Sequence, residues 1–112
     1  MIRGVHAMFY STDPEATRAF LRDTLQLPAH DVGDGWLIFD VPEGEVGCHP
    51  AEEPRHGVSF YCKDIDATIE DLRSKGVPIK REIADAGWGR VATIEMPGGV
   101  EVEIYQPRYT KG

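Results

Sequence analysis

The sequence predicts an α+β fold made of two tandem βαβββ modules whose sheets curve around a concave cavity. Two observations carry this. The stretch His6 to Pro28, HAMFYSTDPEATRAFLRDTLQLP, is echoed by His56 to Pro78, HGVSFYCKDIDATIEDLRSKGVP, at an offset of about fifty residues. In each copy a histidine, a short apolar run with aromatics, an aspartate and a helical pattern follow in the same order, and three strand-like segments come after. Two copies are too few for a stacked solenoid, so two units that pair with each other explain the count. A chain of 112 residues has room for one core, giving a single domain over 1–112 with modules of about 1–52 and 53–112.

In the first half, GVHAMFY is β-prone and STDP breaks it. Asp13 is a good N-cap, and Pro14 suits the first helical position, where its missing N–H would have had no partner. Ala16, Phe20 and Leu27 give an approximate helical stripe that Leu27-Pro28 ends. A weak extended piece at Ala29 to Val32, a GDG turn, the strand WLIFDVP, a PEGE turn and the short run VGCH complete the module. In the second half GVSFYC opens, Asp64 caps a helix with Ile65, Ile69 and Leu72 at helical spacing, and Gly76 stands where the C-terminal residue turns left-handed. VPIKREI, RVATIEM and VEVEIYQP then read as strands separated by GWG and PGG breakers.

Composition narrows the function. With 41% hydrophobic and 28% charged residues the chain is globular. A formal charge of -7 without a basic stripe argues against nucleic acid, whose binding draws on clustered Lys and Arg. No apolar run approaches the ~20 residues a bilayer needs, so a soluble cytoplasmic protein is expected. Cys48 and Cys62 sit in apolar strand-like runs and read as small core residues in a reducing compartment. The GWGR and PGG turns lack a P-loop or dinucleotide-binding context, and no Ser-His-Asp or Cys-His arrangement is evident.

Strand parity selects candidate site residues. In the last strand Val102 and Ile104 form one face, expected under a helix, while Glu101, Glu103 and Tyr105 form the other, expected on the open side. His6 and His56 occupy equivalent places in their repeats. Two neutral imidazoles and one carboxylate suit a divalent transition metal with open positions, so His6, His56 and Glu103 are the candidate metal ligands. The alternatives are histidines that bond backbone carbonyls and a solvated strand glutamate, with Glu101 sharing the parity of Glu103. His49 and Tyr105 are candidate catalytic acid/base groups; the plainer readings are a polar strand end and a core aromatic with its hydroxyl at the rim. Trp36 and Trp88 open strands beside glycine turns, on a pocket wall or in a dimer contact. His30 is assigned no role.

The repeated unit, with HAMFYSTDPEATRAFL, HGVSFYCKDIDATIEDLRSKGVP and the closing MPGGVEVEIYQP, resembles the vicinal oxygen chelate superfamily, which includes glyoxalase I, bleomycin-resistance proteins and extradiol dioxygenases. The resemblance spans essentially the whole chain. It implies metal ligands on the first strand of each module and on the fourth strand, at positions that match His6, His56 and Glu103. Gly47 stands where glyoxalase-like members carry a further carboxylate, with His49 two residues beyond it. The implied cofactor is a divalent ion, Fe(II), Mn(II), Zn(II) or Ni(II), acting on a small organic substrate in dioxygenase, isomerase or lyase chemistry. The rival implication is a metal-free protein that sequesters bleomycin-type ligands. Either form is expected as a homodimer.

Overall fold

The computed structural model describes residues 6–44, 50, 52–87 and 89–108. The second half supplies the framework. Strand β3 (Ser59–Tyr61) leads into helix α2 (Ile65–Ser74), followed by β4 (Ile79–Asp85), β5 (Gly89–Met96) and β6 (Val100–Pro107). The four strands form one sheet in the order β3-β6-β5-β4, with β3 parallel to β6 and the other neighbours antiparallel. This is the expected strand, helix, three-strand unit in full.

The local causes are visible in the sequence. The Asp64 carboxylate accepts the N–H of Ala67, and Gly76 adopts φ +80° as the chain leaves the helix. Gln106 reaches back from β6, its side-chain oxygen accepting the N–H of Ile65, and so pins the start of α2 to the sheet. Along β5, Ala92, Ile94 and Met96 are buried while Val91, Thr93 and Glu95 between them are partly open, the period of two expected of a half-covered strand. Ile65, Ile69 and Leu72 of α2 pack on that buried side together with Val102 and Ile104 of β6. The aliphatic pair of the last strand lies where parity put it.

The first half is built differently from expectation. Helix α1 (Pro14–Ala19) starts at an Asp13 N-cap with proline in its first turn, then widens into a π-type segment, Phe20–Thr24. There Leu25 N–H donates to Phe20 O and Leu27 N–H to Leu21 O, so the 3.6-residue stripe of Ala16, Phe20 and Leu27 does not persist. The wider turn lets consecutive residues Phe20 and Leu21 both enter the core shared with α2. Gln26, at φ +59°, turns the chain out of the helix ahead of the expected Leu27-Pro28 stop.

Strands β1 (Ala29–Asp31) and β2 (Leu37–Phe39) follow as a separate antiparallel pair around a tight loop, in which the Asp31 carboxylate accepts the N–H groups of Gly33 and Gly35. Over residues 6–10 the expected opening strand is not formed; Phe9 packs against the core, its ring 5.9 Å from that of Phe60. VGCH lies outside the described residues, as does Trp88. Cys62 is half-buried rather than fully enclosed, and burial pushes its thiol up from its ordinary value. Trp36 stands exposed, with the Arg18 guanidinium 4.7 Å from its ring centre.

The two halves are joined at the turn between β5 and β6. Thr12 N–H and Oγ1 both donate to Gly98 O, and Thr17 Oγ1 donates to Pro97 O at 2.6 Å. Thr17 is the one buried polar residue among those described, and these contacts satisfy it.

Three guanidinium–carboxylate pairs brace the second half: Arg90–Asp66 at 2.7 Å, Arg73–Glu82 at 2.6 Å and Arg108–Asp85. The hydrogen bond from each guanidinium holds its carboxyl below the ordinary value of 3.8 for the aspartates and 4.5 for the glutamate. A carboxyl depressed in the folded state stabilises above its unfolded value and loses that stabilisation as pH falls through the folded one. The melting temperature should therefore hold level from neutral pH to about 5 and decline below about pH 4. All three pairs are exposed, so the decline attributable to them is modest and 1 M salt at pH 7 should remove part of the same stabilisation. Circular dichroism melts across pH and salt measure both.

Candidate functional site

Both helices lie on one side of the four-stranded sheet, which leaves its other side open. Cross-strand register orders that face into rows. Ser59 of β3 pairs with Glu103 of β6, Glu103 with Thr93 of β5, and Thr93 with Arg81 of β4. The next row runs Tyr61, Tyr105, Val91 and Ala84. Glu101 and Glu95 face each other in a third. The open face thus combines an aromatic and aliphatic strip with a polar strip that has a carboxylate near one end and a guanidinium at the other. At a strand spacing of about 4.8 Å, Glu103 and Arg81 stand roughly 10 Å apart. Among the described residues Arg81 has no ion-pair partner.

Glu103 is exposed, and its Oε1 accepts a hydrogen bond from Ser59 Oγ at 3.2 Å. Tyr105, two residues on, is half-buried on the same face. The Tyr61 hydroxyl donates to the Glu43 carboxylate, which brings the segment after β2 to the rim of the aromatic row.

The two histidines are placed elsewhere. His6 is exposed in the irregular run before α1, and His56 is exposed three residues ahead of β3, outside the sheet. Among the described residues no three His, Cys, Asp or Glu side chains come together as a group able to hold an ion. As placed, His6, His56 and Glu103 are not gathered into one such group. His49 lies outside the described residues.

Sequence reasoning overlooked the residues that border Glu103. Ser59 and Tyr61 have the parity opposite to Phe60 in GVSFYC, and that alternation was the available signal for an outward-facing pair. Thr93 comes beside Glu103, and Arg81 into the same row two strands away, only through strand order. Two shallow grooves, of about 350 Å³ and 310 Å³, border the helices, the first beside Gln26 and Lys75 and the second beside Val77 and Pro97. Neither includes Glu103 or Tyr105. The face itself is open, and a second wall would be needed to make it a cavity.

Residues 3–104 match the model of the glyoxalase/bleomycin resistance protein/dioxygenase superfamily, and the chain belongs to that family. Similar solved structures include the antibiotic-binding protein TnmS3 from a Streptomyces species, 21% identical, with a TM-score of 0.65 over 92% of this chain and 99% of that one. A lactoylglutathione lyase from Agrobacterium tumefaciens is 23% identical, with a TM-score of 0.59 over 88% of each chain. A glyoxalase/bleomycin resistance protein/dioxygenase from Nocardioides is 20% identical, with a TM-score of 0.60 over 91% of this chain and 84% of that one. A comparison with curated proteins finds no match. At these identities the structural likeness concerns the fold. Among the described residues no helix is long and apolar enough to cross a membrane.

Proposed function

We propose that this chain is a small-molecule-binding member of its family that takes its ligand on the open face of the β3-β6-β5-β4 sheet. The observation that carries the reading is the composition of that face: Tyr61, Tyr105 and Val91 offer apolar area, and Glu103 beside them offers a charge to orient a ligand. Apolar walls with a few placed polar groups are the usual make-up of a ligand site. The fold shared with an antibiotic-binding protein supports the reading. In this proposal the second wall comes from the tandem arrangement, with module one (about 1–52) of the same chain or of a second copy closing over the face of module two in a homodimer.

A second reading is metal-dependent catalysis of the dioxygenase, isomerase or lyase kind. Here His6, His56 and Glu103 are the proposed ligands of a divalent ion, and His49 and Tyr105 the proposed proton-transfer groups. It is favoured by the free oxygen of Glu103, since Oε2 has no partner among the described residues. Neither histidine belongs to a strand of that sheet, which puts this reading second.

One preparation tests both. Tag-free protein is analysed for bound metals, and a panel of antibiotics headed by metal-free bleomycin is titrated into it by calorimetry and by NMR. The expected result is binding without stoichiometric metal, with shifts gathered at Ser59, Glu103, Tyr105 and Val91. Glu103→Gln, which removes a charge-assisted contact, should weaken that binding roughly ten- to hundredfold. Shifts gathered at the grooves beside Gln26 and Lys75 would overturn the placement. Stoichiometric metal that disappears in His56→Ala would put the second reading first.

A further inference from the structure

Glu103 is flanked by hydroxyl-bearing residues on both neighbouring strands, yet among the described residues it is held from the Ser59 side only. Ser59 lies directly opposite in the parallel pairing of β3 with β6, and Thr93 directly opposite in the antiparallel pairing of β6 with β5. The Ser59 hydroxyl donates to Oε1 at 3.2 Å, whereas Thr93 makes no hydrogen bond to the carboxylate. Backbone register, rather than a chance rotamer, brings Ser59 and Glu103 together, because paired residues in a ladder project to the same side. An unrestrained glutamate on an exposed strand would have to be ordered each time something bound, at a cost in side-chain entropy. A carboxylate already tethered through one oxygen presents the other over a narrower range of directions.

We propose that Ser59 is a positioning residue: its hydroxyl holds Oε1 of Glu103 so that Oε2 points outward over the open face as the oxygen that meets a ligand. This rests on the reading of that face as the binding surface, but it can be tested without a ligand. In protein carrying ¹³C-labelled glutamate, the Glu103 carboxyl resonance is assigned by its disappearance in Glu103→Gln. At pH 7, Ser59→Ala should move that resonance, Ser59→Thr should return it to its original position, and Thr93→Val should leave it in place. The urea midpoint of all three variants should stay near that of the parent, since both hydroxyls are at the surface or only half-buried. A Glu103 resonance unmoved by Ser59→Ala, or moved equally by Thr93→Val, overturns the proposal.

The antibiotic titrations supply the second readout. Ser59→Ala should weaken binding roughly two- to tenfold, the effect of one hydrogen bond, and Ser59→Thr should restore it. If the resonance responds as expected and no compound of the panel binds, the tether stands and the binding reading fails. If a compound binds through Glu103 while the resonance ignores Ser59, the binding reading stands and the tether fails.

Discussion

Replacing Gly98 by alanine should lower stability by about 2–4 kcal/mol, from an unfavourable backbone conformation and an over-packed contact together. Gly98 has φ +91°, and a Cβ there would lie 1.7 Å from Ser11 Oγ and 3.0 Å from both the Asp13 nitrogen and Thr17 Oγ1. The Ser11 hydroxyl would have to rotate away, and the Asp13 backbone and Thr17 hydroxyl at the start of α1 would have to shift by a few tenths of an ångström off the turn that holds them. The same movement would strain the Thr12–Gly98 and Thr17–Pro97 hydrogen bonds. The neighbouring Gly99 is the internal control. It also has positive φ, +76°, but an added Cβ would meet nothing within 4 Å. Gly99→Ala should therefore cost only the conformational part, about 1–2 kcal/mol. Urea unfolding of both variants measures the difference, and equal losses would mean that the contact with α1 contributes nothing.

Ile94→Ala should cost about 2–5 kcal/mol, against about 0.5–1.5 for Ile94→Val. Ile94 is completely buried at the middle of β5, within the cluster that α2 covers with Ile65 and Ile69. It pairs with Val102 on one side and Ile79 on the other, so truncation opens a hole that three strands and a helix border. The strands are held in register by their ladders and cannot close over the hole without slipping, which places the loss in the upper part of that range. Denaturant melts with an unchanged m-value would attribute the loss to the folded state.

The second half was legible in the sequence for the reason that makes Ile94 costly to remove. RVATIEM and VEVEIYQP largely alternate, the breakers between them contain glycines whose positive φ the turns require, and Asp64 precedes an unbroken helical stripe. Those same residues put Glu103 and Tyr105 on the open face and Val102 and Ile104 beneath the helix, as the structure has them. Local pattern was less informative for the first half. The π-type turn adds a residue within a helix whose sequence shows only a 3.6-residue stripe, and β1 and β2 are three-residue strands with little burial to enforce an alternation.

The face around Glu103 was legible only in part. Parity within β6 identified the glutamate, but its partners come from other strands, and no short-range signal in VEVEIYQP specifies Ser59. For His56 the repeat suggested equivalence with His6, but His56 lies three residues ahead of β3, where no strand pairing fixes its direction. A motif match fixes an order of residues along the chain, whereas meeting across a sheet depends on register.

The parallel seam between β3 and β6 has one more consequence. It joins residues 44 positions apart through a three-residue strand, while β4, β5 and β6 are linked by short connections and long antiparallel ladders. Contacts that close a large loop are entropically the dearest to make and among the first to be given up when a protein breathes. Fraying at β3 would release Ser59 from Glu103 and Tyr61 from the aromatic row while the three-stranded meander stayed intact. If the proposed binding face is used, recognition there would be tied to this joint of the sheet, and a molecule that bridged β3 and β6 would act as a splint across it.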